Sequence, residues 1–174
     1  MSSRPAPRAG IFELQPLEIR RFLTTAVVNA SNVLVVTGTS AADAIAVTAT
    51  GTGRTVVTGV IGSDGLQRRF DFGTLVGQYT RIQIDGLGGN DNLSIANPVT
   101  YSGSTIFGSA GNDTITGGQG KDTIQGGLGN DTLDGRGNAD VLDGDDNFDT
   151  VNYSARTSGV KVALNGLADD GVVG

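Results

Sequence analysis

An all-β fold whose second half is a solenoid is what three observations in this sequence predict. Five nine-residue units follow one another without a gap from Gly108 to Asn152, residues 26–85 alternate apolar and polar side chains, and 28 glycines stand beside only 5% aromatic residues. A fixed period marks repeat architecture, and period-two alternation marks strands. So few aromatic side chains cannot fill a thick conventional core.

Residues 1–25 form the first segment. MSSRPAPRAG is basic and Pro-containing, lacks the apolar run of a secretory signal peptide, and is expected to be disordered. Pro16 can open a short helix that carries Leu17, Arg20 and Arg21. Within it, Leu17-Glu18-Ile19-Arg20-Arg21-Phe22-Leu23 resembles the Leu-Glu-Pro-Arg-x-Leu-Leu motif that opens many large exported bacterial surface proteins, with Ile19 in place of Pro and Phe22 in place of Leu. That resemblance implies export; the competing reading is an ordinary amphipathic helix.

Residues 26–85 are rich in Val, Thr and Ile and predict strands at Val33–Thr37, Ala44–Thr50, Arg54–Ile61, Arg68–Phe72 and Tyr79–Asp85. GTSAADAIA, from Gly38 to Ala46, looks like a decayed nine-residue unit, in which Asp43 is expected to serve the turn rather than bind an ion.

The solenoid is placed at residues 86–152. Gly86 opens GLGGNDNLS, with Asp91 sixth and Leu93 eighth; Ile95 to Pro98 are then inserted. VTYSGSTIF follows with Ser104 where the aspartate belongs, so it is expected to continue the coil without metal. Pro98 is expected in a loop or at a strand start. In the five regular units the first residue is always Gly (Gly108, Gly117, Gly126, Gly135, Gly144), the sixth always Asp (Asp113, Asp122, Asp131, Asp140, Asp149), and the eighth a branched aliphatic (Ile115, Ile124, Leu133, Leu142, Val151). The glycines suit a tight six-residue turn, and the last three residues a short strand with one side chain inward. The aliphatics then form an inward ladder, with the aspartates expected to stack outside it. Carboxylates in adjacent strands, about 4.8 Å apart, repel by about 1 kcal/mol per pair in water and more near apolar surface. A hard divalent cation relieves that repulsion, and oxygen ligands from carboxylates and turn carbonyls are what calcium takes.

These units match G-G-x-G-x-D-x-U-x and resemble the RTX (repeats-in-toxin) calcium-binding nonapeptides of extracellular bacterial proteins. The resemblance implies a parallel β-roll, a calcium-stabilised β-solenoid in which two nonapeptides make one turn and calcium lies between turns. By it the ligands would be Asp113, Asp131 and Asp149 on one side and Asp122 and Asp140 on the other. Asp91 in the preceding unit and the turn glycines Gly108, Gly111, Gly117, Gly120, Gly126 and Gly129 complete the candidate metal residues. Departures include Arg136 and Asp145 at second positions and Asn138 at a fourth.

Residues 153–174 predict one more strand, with Val160, Val162 and Leu164 on one face, then an acidic turn beginning at Asp169-Asp170-Gly171. The pattern breaks off there, which suits a larger parent protein or a truncated reading frame.

Composition narrows the function. There is no Cys and no His, which removes thiolate nucleophiles, histidine bases and zinc sites built on either. Residues 1–84 carry eight Arg against five acids, and 85–174 four bases against thirteen acids. An acidic, Gly-rich face is a poor partner for nucleic acid. No run approaches a membrane span. EF-hand and phosphate-loop readings fail on residue type at Thr150, Arg156 and Asp122. The sequence therefore predicts a secreted or cell-surface, non-enzymatic module with Ca2+ as cofactor and partner. It leaves any protein or surface partner unknown. The rival readings are an adhesin or scaffold segment with incidental calcium, and a fragment of a secreted enzyme.

Overall fold

The computed structural model describes residues 25–49, 55–60, 67–71, 79–96, 99 and 101–154. The segment at 17–23, Pro98, and the strand and acidic turn expected after residue 159 lie outside them. The described residues form thirteen strands and no helix: β1 Thr25–Val28, β2 Val33–Thr39, β3 Ala44–Ala49, β4 Thr55–Val60, β5 Gln67–Asp71, β6 Arg81–Leu87, β7 Asn92–Ile95, β8 Gly103–Ala110, β9 Thr114–Thr116, β10 Thr123–Leu128, β11 Thr132–Asp134, β12 Val141–Asp146 and β13 Thr150–Val151. The five strands expected between residues 33 and 85 are all present within two residues of their expected bounds; β1 was not anticipated.

Two sheets carry the chain back and forth. One has the order β1-β2-β6-β8-β10-β12, the other β13-β11-β9-β7-β3-β4-β5. Thr123 pairs in parallel with Thr105 and with Val141, and Thr132 with Thr114 and Thr150, so one turn of the coil is eighteen residues, two nonapeptides. This is the all-β parallel roll the repeats predict. The preceding turn is four residues longer: Arg81 pairs with Gly103 and Asn92 with Thr114. The step before that is longer still, since Val33 pairs with Arg81 and Ala44 with Asn92. Between β3 and β6 the chain leaves the coil to form β4 and β5, which pair antiparallel on the outside of β3. Both sheets therefore run on without a break across residue 85, and β2 with β3 makes the first turn.

The inward ladders are the aliphatics of the repeat. Val36, Ile84, Ile106, Ile124 and Leu142 are in register on one sheet, and Ile45, Leu93, Ile115, Leu133 and Val151 on the other. From Val36 to Ile124 and from Ile45 to Leu133 these side chains are buried in one cluster. Burying each is worth about 1.5–3 kcal/mol, and this is the main cohesion of the coil among the described residues.

One expectation changes. Strands with three residues per unit hold at β9 and β11, but on the other sheet β8, β10 and β12 run six to eight residues, through the glycines that open the next unit. The ladder survives there because Gly127 pairs with Ser109 and with Asp145, all three with positive φ. The shared positive φ gives neighbouring turns the same local backbone path and so keeps them in register.

Candidate metal centre

Each sixth-position aspartate is fixed first by the backbone of the adjoining turn. The amide of Asp43 donates to Oδ1 of Asp91 at 2.8 Å, Asp91 to Asp113 at 2.7 Å, Asp113 to Asp131 at 2.7 Å and Asp131 to Asp149 at 2.9 Å. Five carboxylates separated by as many as 48 residues thus form one column. At the other edge Ser104 donates to Oδ1 of Asp122 through its amide at 2.9 Å and its hydroxyl at 2.8 Å, and Asp122 donates to Asp140 at 3.0 Å.

The columns are not outside the ladder, as the sequence suggested. Asp43, Asp91, Asp113, Asp122 and Asp131 are all at most 3% exposed. The first-position glycines explain the inward fold of the carboxylates. A Cβ built on Gly108 would meet Oδ2 of Asp113 and, at 2.6 Å, the carbonyl of Gly126; one on Gly126 would meet Oδ2 of Asp131 and, at 2.8 Å, the carbonyl of Gly144. Gly86 stands likewise between Asp91 and the carbonyl of Gly108. Only glycine leaves the space in which a carboxylate oxygen and the carbonyl of the next turn approach one another.

Those oxygens lack partners. Oδ2 of Asp91, Asp113, Asp131 and Asp149 is buried with no hydrogen bond. Leaving a charged oxygen so costs several kcal/mol, on the order of the desolvation penalty of an unpaired group. The carboxyl pKa values respond: burial, followed by neighbouring carboxylates, pushes Asp91 up to about 7 and Asp131 up to about 6. Asp113 and Asp149 are raised as well, first by burial. Among the described residues no three acidic side chains converge on one point. A cation here would therefore draw on one or two carboxylates and complete its shell with turn carbonyls. That all-oxygen donor set fits calcium.

The candidate ligands differ in what surrounds them. Asp122 has protein donors on both oxygens, since Oδ2 accepts from the Gly118 amide at 2.9 Å and, at a longer 3.4 Å, from the Tyr101 hydroxyl. Gly120 packs against the Tyr101 ring and Gly103. Gly117 stands between Oδ2 of Asp122 and, at 3.0 Å, the carbonyl of Gly135. Gly111 and Gly129 occupy the fourth turn position with φ of 135° and 124°. Asp140 accepts from Asp122 and is half-buried.

Three features escaped the sequence reading. Asp43 belongs to the column, although its own carboxylate is held by Thr39, whose amide donates to Oδ2 at 2.6 Å. The nine-residue spacing of GTSAADAIA was the available signal. Fifth-position asparagines form a second ladder at the surface: Asn112 donates through its amide to Asn90 Oδ1 at 2.9 Å, Asn130 to Asn112 at 2.8 Å and Phe148 to Asn130 at 3.0 Å. Recurrence of Asn at that position was its trace. Tyr101 had no signal, because it lies in the irregular unit.

Comparison with protein families finds the RTX calcium-binding nonapeptide repeat, in four copies, over residues 102–133 and 116–151. No curated protein and no solved structure matches the chain.

Proposed function

Because residues 102–151 are RTX calcium-binding nonapeptide repeats, we propose that this chain is a calcium-loaded structural module of an exported protein. Its act is to turn a flexible chain into a rigid roll when it meets extracellular calcium. The observation that carries this reading is the row of buried Oδ2 oxygens at Asp91, Asp113, Asp131 and Asp149, each beside a first-position glycine and none with a hydrogen-bond donor. The row runs one turn beyond the matched repeats, to Asp91. Calcium would be held by these carboxylates with help from the carbonyls of Gly108, Gly126 and Gly144 beside them, and its charge would offset both the repulsion and the unmet desolvation. Binding to the folded form alone then supplies folding free energy. Export to a calcium-rich exterior is supported by the repeat family, whose proteins are typically secreted. Binding rather than catalysis fits a site whose acidic groups are all engaged in the repeat.

A calcium titration that records ion stoichiometry and far-UV circular dichroism together is the test. Several ions bound per chain, with β signal appearing in step, is the expected result. A β signal indifferent to calcium would remove the folding role, and no saturable binding would remove the reading altogether.

A further inference from the structure

The seven turns that end at Asp43, Asp91, Asp113, Asp122, Asp131, Asp140 and Asp149 come in two forms, distinguished by their second residue. In five of them it has positive φ: Leu87 at 73°, Ser109 at 81°, Gly127 at 111°, Arg136 at 60° and Asp145 at 66°. Four of these five turns carry the carboxylates with the unpartnered Oδ2; the fifth, at Asp140, has the same backbone with a half-buried carboxylate that is not one of them. In the other two, Thr39 and Gly118 are outside the left-handed region, and their amides point at the carboxylate. Thr39 donates to Asp43 Oδ2 at 2.6 Å and Gly118 to Asp122 Oδ2 at 2.9 Å. The backbone N–H carries a partial positive charge, and there it takes the position toward the oxygen that a cation needs.

Resting on the calcium reading above, we infer that the second-residue amide of each turn decides whether the turn takes a divalent cation. The turns at Asp43 and Asp122 are closed by their own amide and stay metal-free, while those at Asp91, Asp113, Asp131 and Asp149 are open and bind. The sequence holds each closed turn in a different way. Thr39 is β-branched, so the left-handed conformation of an open turn is strongly disfavoured; its hydroxyl also donates to the Asp43 carboxylate at 3.2 Å. Gly118 could flip freely by itself. Tyr101 prevents it. A Cβ on Gly118 would run into the Tyr101 hydroxyl, and one on Gly120 would lie 2.5 Å from the ring. The aromatic side chain is wedged against Gly118 and Gly120 of the turn. Ser104, buried beside it, holds Oδ1 of the same carboxylate through two hydrogen bonds. A tyrosine, a serine and a backbone amide together do at Asp122 what an ion does at Asp131.

Calcium stoichiometry by calorimetry or equilibrium dialysis on the full chain tests this with four variants. Asp131→Asn is expected to lose at least one ion. Asp122→Asn is expected to bind as many ions as the wild type. Tyr101→Ala is expected to gain one, and Tyr101→Ala with Asp122→Asn to lose that gain. Loss of an ion in Asp122→Asn while Asp131→Asn behaves as expected overturns this inference alone. An unchanged count in Tyr101→Ala overturns the role of the wedge. No calcium binding by the wild type overturns the calcium reading and this inference with it. Should Asp122→Asn fail to fold, a crystal structure of the calcium-loaded wild type decides: cation density against Asp131 and none against Asp122 supports the inference, and density against Asp122 refutes it.

Discussion

Replacing Asp131 with Asn is expected to move the metal-free and the calcium-loaded forms in opposite directions. In the fold the Asp131 carboxyl rises from 3.8 to about 6, mainly through burial, then through the charges of Asp113, Asp149 and Asp145. A raised carboxyl pKa means that the folded chain holds the proton more tightly than the unfolded chain. The stability it contributes is present in full below the unfolded value and is lost as pH rises through the folded one. At about 1.4 kcal/mol for each pKa unit, the gap amounts to at most about 3 kcal/mol. Asn stays neutral throughout. Its Oδ1 can still accept from the Asp113 amide, and its nitrogen would face the Gly144 carbonyl. The assay is far-UV circular dichroism in EDTA between about pH 4 and about pH 8. Wild type should lose β signal as pH rises through the range of Asp131 and Asp91, and the variant should lose it at higher pH. In calcium at neutral pH the variant should instead be the less stable of the two. The same pH midpoint in both proteins, or equal stabilisation by calcium, would refute the reasoning.

Three further expectations come from the same geometry. In EDTA at neutral pH the segment Gly108–Asn152 should be largely unstructured, and magnesium should restore it poorly, because magnesium demands a tight octahedral shell; equal folding by both ions in circular dichroism would contradict the site. Ile124→Asp should abolish folding even in saturating calcium, since Ile124 is fully buried, whereas Gln125→Asp should fold. Comparable thermal unfolding of the two variants would count against the ladder register. Gly126→Ala should destabilise the calcium-loaded roll by about 1–3 kcal/mol, because the methyl would press on Asp131 and on the Gly144 carbonyl; an unchanged melting temperature would show that the turn yields.

The roll was legible because one nine-residue rule fixes turn, strand, core and carboxylate together, so Ile115, Ile124 and Leu133 could be assigned inward from spacing alone. The strands between residues 33 and 85 were legible from alternation. What period-two patterning cannot encode is which strand neighbours which. The pairing of β2 with β6 and β3 with β7 spans 48 residues, so the decayed unit around Asp43 could be recognised as a turn, but not that its amide meets Asp91. The inward fold of the carboxylates was hidden for a different reason. It depends on empty space at glycine Cα atoms in the neighbouring turn, a property of two turns that no single unit reveals. Tyr101 was invisible because its partners, Gly118 and Asp122, belong to the next turn of the coil.

The unequal spacing of the turns also sets an order of assembly. Bringing β10 against β8 closes eighteen residues of chain, whereas bringing β6 against β2 closes 48. The extra loop-closure entropy is only about 0.9 kcal/mol, so the finished coil carries the β4–β5 excursion at little cost. In time the difference weighs more, because the short closures are searched first. Zipping should start among β8 to β12, where each return is shortest, and spread towards the N-terminus, with β2 and β3 joining a coil that has already formed.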